Sequence, residues 1–168
     1  MKNRIRKNTK KPMLAALLCV ALMMLSLFLP YVTAEEEYRE MLEVIEQDPS
    51  LSLYDLAASD LDNNDASMVK ILAIFTGLAV IAAVTAYYRK PLLLLTASLL
   101  TTAWSVMIHL IFSSGVRGYV MSIGNRLIFA ACAGLLISAV WMETWVIRTR
   151  KKAARRKARQ QKTQTAAA

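Results

Sequence analysis

MVKILAIFTGLAVIAAVTAYYRKPLLLLTASLLTTAWSVMIHLIFS, residues 68–113, holds two long apolar runs broken only by Arg89, Lys90 and Pro91. Each run exceeds the roughly 20 helical residues needed to cross a hydrocarbon core of about 30 Å. Neither alternates in polarity as a barrel strand would, and an unpaired strand leaves its backbone unsatisfied in lipid. The stretch therefore reads as a helical hairpin in a membrane, 68–88 and 91–113, with a two-residue turn at 89–90.

Working outward, residues 13–34 and 127–147 are two further runs of spanning length. With 56% apolar residues, 20% charged and a mean hydropathy of +0.37, the 168-residue chain is too apolar for an ordinary soluble domain and too apolar for a disordered one. The expected class is all-α: a polytopic four-helix transmembrane bundle with a small acidic extracytoplasmic helical segment.

Orientation follows from the basic residues, which are in excess on cytoplasmic segments. Residues 1–12, the turn 89–90 and the tail 148–168 carry 17 of the 21 Lys and Arg; only Arg39, Lys70, Arg117 and Arg126 fall on the other side. Both termini are expected in the cytoplasm, with 35–67 and 114–126 outside, in a multi-pass cell-membrane protein. Tyr87, Tyr88, Trp141 and Trp145 sit where an inner aromatic belt belongs.

The first run also reads as a secretory signal peptide: a basic start, an apolar stretch, Pro30, and Val32-Thr33-Ala34 before Glu35. Its 17 residues from 13 to 29 exceed the usual signal core of about 7–15, which favours a retained helix. The four-span plan resembles tetraspan proteins in topology only, because the cysteine-bearing loop motifs of claudins and tetraspanins are missing.

Residues 35–66 hold 11 of the 12 acids against Arg39 alone, a local charge of about −10. Tyr38, Met41, Leu42 and Ile45 recur at helical spacing, Asp48-Pro49 ends that helix, and Leu53, Leu56, Ala57 and Leu61 suggest a shorter second one. The segment reads as a cap resting on the span ends, and Glu35, Glu36, Glu37 and Glu40 are the candidate partner-binding residues. Asp60, Asp62, Asn64 and Asp65 fail as an EF-hand, which wants Gly at position six and Glu at twelve where this chain has Asp65 and Ile71.

Within the runs, Ser98, Thr102, Ser105, His109 and Ser113 follow steps of four, three, four and four and form a candidate polar stripe. Ala130, Gly134 and Ser138 form a small-residue ridge for helix packing, within the bundle or between copies in a homo-oligomer; Ala73 and Gly77 begin another. Cys19 and Cys132 fall in different spans, with expected depths ~10–15 Å apart, so they should not pair. Glu143, near Arg148, reads as an interfacial acid within reach of Arg89, Lys90 or Arg148.

There is one histidine, no CxxC motif, no GxS nucleophile with a His partner and no pair of intramembrane acids, so no catalytic residue, metal ligand or cofactor is expected. The basic tail should contact anionic lipid headgroups, and nothing resembles a nucleic-acid-reading module. The expected function is non-enzymatic: an accessory, assembly or sensing subunit that binds another protein through its acidic outer segment or its spans. The alternative is a small transporter or channel component.

Overall fold

The computed structural model describes residues 9–39, 49–62, 66–115 and 118–165. In chain order the elements are α1 (Lys10–Ser26), β1 (Pro30–Ala34), β2 (Ser50–Ser52), α2 (Leu53–Asp62), α3 (Ser67–Tyr87), α4 (Pro91–Gly115), β3 (Tyr119–Met121) and α5 (Ile123–Thr165). The protein is mostly helical, and among the described residues three helices are long and apolar enough to cross a membrane: Ser67–Tyr87, Pro91–Ser113 and Ile123–Arg155.

The expected first span, 13–34, is corrected. Its helix starts at Lys10 and stops at Ser26, 17 residues and ~26 Å long. Three tightening bonds come next, from the amides of Leu27, Phe28 and Leu29 to the carbonyls of Met24, Leu25 and Ser26. Pro30 has no amide to continue the helix, and its ring disfavours a helical residue before it. Tyr31, Val32 and Thr33 suit an extended chain instead.

The helical class gains a small sheet at the same place. β1 is the centre of an antiparallel sheet of order β2-β1-β3. It pairs with β2 as Pro30↔Ser52, Val32↔Leu51 and Thr33↔Ser50, with a register shift between Pro30 and Val32. Its pairs with β3 are Val32↔Met121, Thr33↔Val120 and Ala34↔Tyr119. Tyr31, Val32 and Ala34 are buried, so the sheet is sealed onto the helix ends below it. The Tyr31 ring meets Phe112 of α4 edge-on, centroids 5.3 Å apart, and its carbonyl accepts the Ser122 amide at 2.9 Å.

Each long helix packs on two others: α1 on α3 and α5, and α4 on α3 and α5. Ala79, Ala82 and Ala86 of α3 are fully buried, and side chains this small let its neighbours approach closely. The Trp104 indole N–H donates to the Ile71 carbonyl at 3.2 Å, tying α4 to α3.

The turn at 89–90 between α3 and α4 is tight. Lys90 donates to the Thr85 carbonyl and Arg89 to that of Ala86, both at 3.0 Å, closing α3 in a Schellman pattern. Arg89 takes the left-handed backbone (φ 54) that such an end demands, and Pro91 opens α4 where a missing amide costs nothing. α5 runs 43 residues, ~64 Å, about twice a hydrocarbon core. Its start at Ile123 takes in part of the expected loop 114–126, the rest of which includes β3.

Candidate functional site

The sheet and α2 form a cap whose attachments are specific. Ser52 starts α2 through a reciprocal capping box: its amide and hydroxyl donate to the Asp55 carboxylate at 3.0 and 2.6 Å, and the Asp55 amide donates to the Ser52 hydroxyl at 3.1 Å. These bonds hold the exposed Asp55 carboxyl below the usual carboxylate range. Leu53 and Ala57 of α2 are buried as the helical spacing requires, Leu56 is half-buried and Leu61 is exposed.

Asp60 accepts the Met68 amide at 2.8 Å, so a carboxylate of α2 caps the N-terminus of α3. This bond gives Asp60 a structural role. Asn64 and Asp65 of the acidic turn lie outside the described residues, among which no group of three or more His, Cys, Asp and Glu gathers as a metal set.

At the end of β1, Glu35 donates its amide to the Gly118 carbonyl at 2.9 Å. Gly118 has φ 82, and a Cβ there would lie 2.7 Å from the Tyr38 ring, so the two loops interlock where only glycine fits. Glu35, Glu36 and Glu37 are exposed at this junction. Glu40, with Met41, Leu42 and Ile45 of the expected first cap helix, lies outside the described residues.

Of the polar stripe on α4, Ser98 and Ser105 are buried, Thr102 and His109 half-buried and Ser113 exposed. Thr101, off the expected line, is fully buried. Most of the hydroxyls bond back to their own helix: Thr101 to Ala97, Thr102 to Ser98 and Ser105 to Thr101, each at 2.8 Å. Ser105 also lies 3.4 Å from the Cys132 sulfur on α5. The His109 ring meets Phe129 edge-on at 5.4 Å, and its buried Nδ1 has no hydrogen-bond partner among the described residues.

On α5, Ala130 is exposed, Gly134 half-buried and Ser138 buried. A Cβ on Gly134 would lie 2.7 Å from the Cys19 sulfur, so α1 packs directly over this glycine. Gly77 of α3 is exposed with nothing within 4 Å of such a Cβ. The expected depth difference between the cysteines is corrected by the same contact. Cys19 lies level with Gly134, one short step along α5 from Cys132, because the early end of α1 moves Cys19 toward the sheet. Both thiols are free. Glu143 is half-buried between exposed Trp141 and half-buried Trp145.

Sequence reasoning missed the cap's working parts: the Ser52–Asp55 box, the Asp60 cap, and Asn125, whose buried Oδ1 also lacks a partner among the described residues. The Ser-x-x-Asp spacing was a visible signal for the first. No protein-family model matches the chain, and neither does any characterised protein or solved structure.

Proposed function

We propose that this protein is a non-enzymatic membrane accessory, assembly or sensing subunit, with α1 completing a four-helix transmembrane bundle and the sheet and α2 forming an extracytoplasmic cap. In this reading both termini are cytoplasmic and the basic tail meets anionic lipid. A protein partner docks on the acids that start at Glu35. The observation that carries it is the exposure of Glu35, Glu36 and Glu37 where the central strand ends on an interlocked pair of loops. Exposed acids on a backbone already ordered cost little further entropy when a basic partner binds.

Retention of α1 is supported by β1. Cleavage after Ala34 would remove the strand that joins β2 to β3 and the helix that covers Gly134. The back-bonded hydroxyls of α4 favour a packing seam over the hydrated path of a transporter. Contact between Cys19 and the Gly134 position supports use of that ridge within one chain rather than between copies.

The test is co-purification in mild detergent across a salt series, for the natural chain and for one with Glu35, Glu36, Glu37 and Glu40 changed to Gln. Attraction between exposed charges is screened beyond about 8 Å at physiological salt. The expected result is a partner released by salt and lost in the variant; salt-resistant association that survives the changes places the contact in the membrane. Flux measured in reconstituted vesicles would instead establish transport.

A further inference from the structure

His109 and Asn125 play no part in the partner site, yet they share one peculiarity. Their Nδ1 and Oδ1 are the two buried side-chain polar atoms with no hydrogen-bond partner among the described residues. Buried polar atoms are nearly always paired, because leaving one unmade forfeits its hydration with nothing in return. Asn125 is only 5% exposed.

The two atoms belong to one place. The 3.4 Å contact between Ser105 and Cys132 sets the register of α4 against α5. One turn toward the sheet, the His109 ring touches Phe129. Asn125 lies one further turn along α5, level with Phe112, about 5 Å from His109 along the helix axis. The two atoms make no bond with each other, and an offset of about one turn suits one bridging oxygen.

The place also lies near the outer surface. His109 sits on α4 between its packed face and the exposed Val106 and Leu110, and half-buried Phe129 sits on α5 beside the exposed Arg126 and Ala130. The border between the two helices thus lies at the outer surface of the bundle, with the His109 Nδ1 itself covered. His109 lies ~9 Å inside the end of α4 and Asn125 ~3 Å inside that of α5, the depth at which an amphiphile carries its glycerol oxygens.

We propose that His109 and Asn125 hold the hydroxyl of a neutral, hydroxyl-ended lipid at the α4–α5 seam. The chemistry selects this class. A hydroxyl accepts from an imidazole Nδ1–H and donates to the Asn125 carbonyl, satisfying both orphans with one oxygen. A phosphodiester or an ester carbonyl has no proton for Oδ1. An ammonium has no lone pair for Nδ1–H. Arg126, the charged residue beside the seam, is exposed.

The single histidine makes the test direct. The full-length protein, labelled with 15N-histidine in phosphatidylcholine nanodiscs, is titrated with 1,2-dioleoylglycerol or with its 3-O-methyl ether, which keeps the shape and loses the donor. The expected result is a saturable shift of an Nδ1-protonated imidazole with the alcohol, and binding about 3- to 10-fold weaker for the ether, the worth of one neutral hydrogen bond. Asn125→Ala should lose affinity for the alcohol by a similar factor, with Ser113→Ala unchanged. Equal responses to alcohol and ether would overturn the assignment, as would no response to either with a bound-water cross-peak at Nδ1. The alcohol-ether comparison uses the natural chain and stands even where Asn125→Ala fails to fold.

Discussion

Gly124→Ala should destabilise the protein even though alanine favours a helix. Gly124 lies in the first turn of α5, where the chain passes beneath the end of α1. An ideal Cβ there would stand 2.8 Å from both the Leu29 and the Pro30 carbonyl oxygens and 3.2 Å from the Pro30 carbonyl carbon. Ordinary contact needs several tenths of an ångström more, and the obstructing atoms are backbone. They cannot rotate aside as a side chain would. Moving them shifts β1, whose residues pair on both sides and whose Tyr31 carbonyl holds the start of α5 through Ser122. Overpacking of this kind costs about 1–3 kcal/mol, against a gain of up to about 1 kcal/mol from replacing glycine in a helix. The net expectation is a loss of about 1–2 kcal/mol. Gly77→Ala is the control, since the same methyl meets nothing within 4 Å there, and it should be neutral or stabilising by less than about 1 kcal/mol. The assay is reversible unfolding in mixed detergent micelles as the denaturing fraction rises, monitored by helix content. A Gly124→Ala chain as stable as its parent would refute the close approach of α5 to the β1 backbone.

The cap and the first helix lead to further expected outcomes. Asp60→Ala should cost about 1 kcal/mol by exposing the Met68 amide at the start of α3, with faster hydrogen exchange confined to that turn; unchanged exchange would remove Asp60 from the cap. Because the folded Asp55 carboxyl lies below its ordinary value, its contribution is full above the unfolded carboxylate pKa and is lost as pH falls through the folded one. Amide exchange in α2 should therefore accelerate below about pH 4, and Asp55→Asn should flatten that dependence. N-terminal sequencing of purified protein should find a start ahead of α1, and a start at Glu35 would show that α1 and β1 are removed.

The spans were legible because membrane insertion sums over local hydropathy: nothing distant is needed to see that 68–88 and 91–113 are apolar and that Arg89 and Lys90 divide them. Pro30 likewise announces a helix end by itself. The chain beyond Pro30 could not be read locally, since Tyr31-Val32-Thr33 is apolar enough to pass for the end of a span. It becomes a strand only because Ser50–Ser52 and Tyr119–Met121, far away in the chain, supply its hydrogen bonds on both edges. Tertiary packing likewise put Cys19 level with Gly134, Thr101 rather than Thr102 in the buried face of α4, and Asp60 at the start of α3. Helical spacing placed Ser98, Ser105 and His109 near one face of α4, but the rotation of that face is set by which neighbours cover it. The pairing of His109 with Asn125 lay further out of reach, because the two share a site only once α4 and α5 are docked in register. Local chemistry thus determined the helices and their ends, while tertiary packing decided the sheet, the depths and every contact between helices, because pairing energy depends on partners the local sequence does not contain.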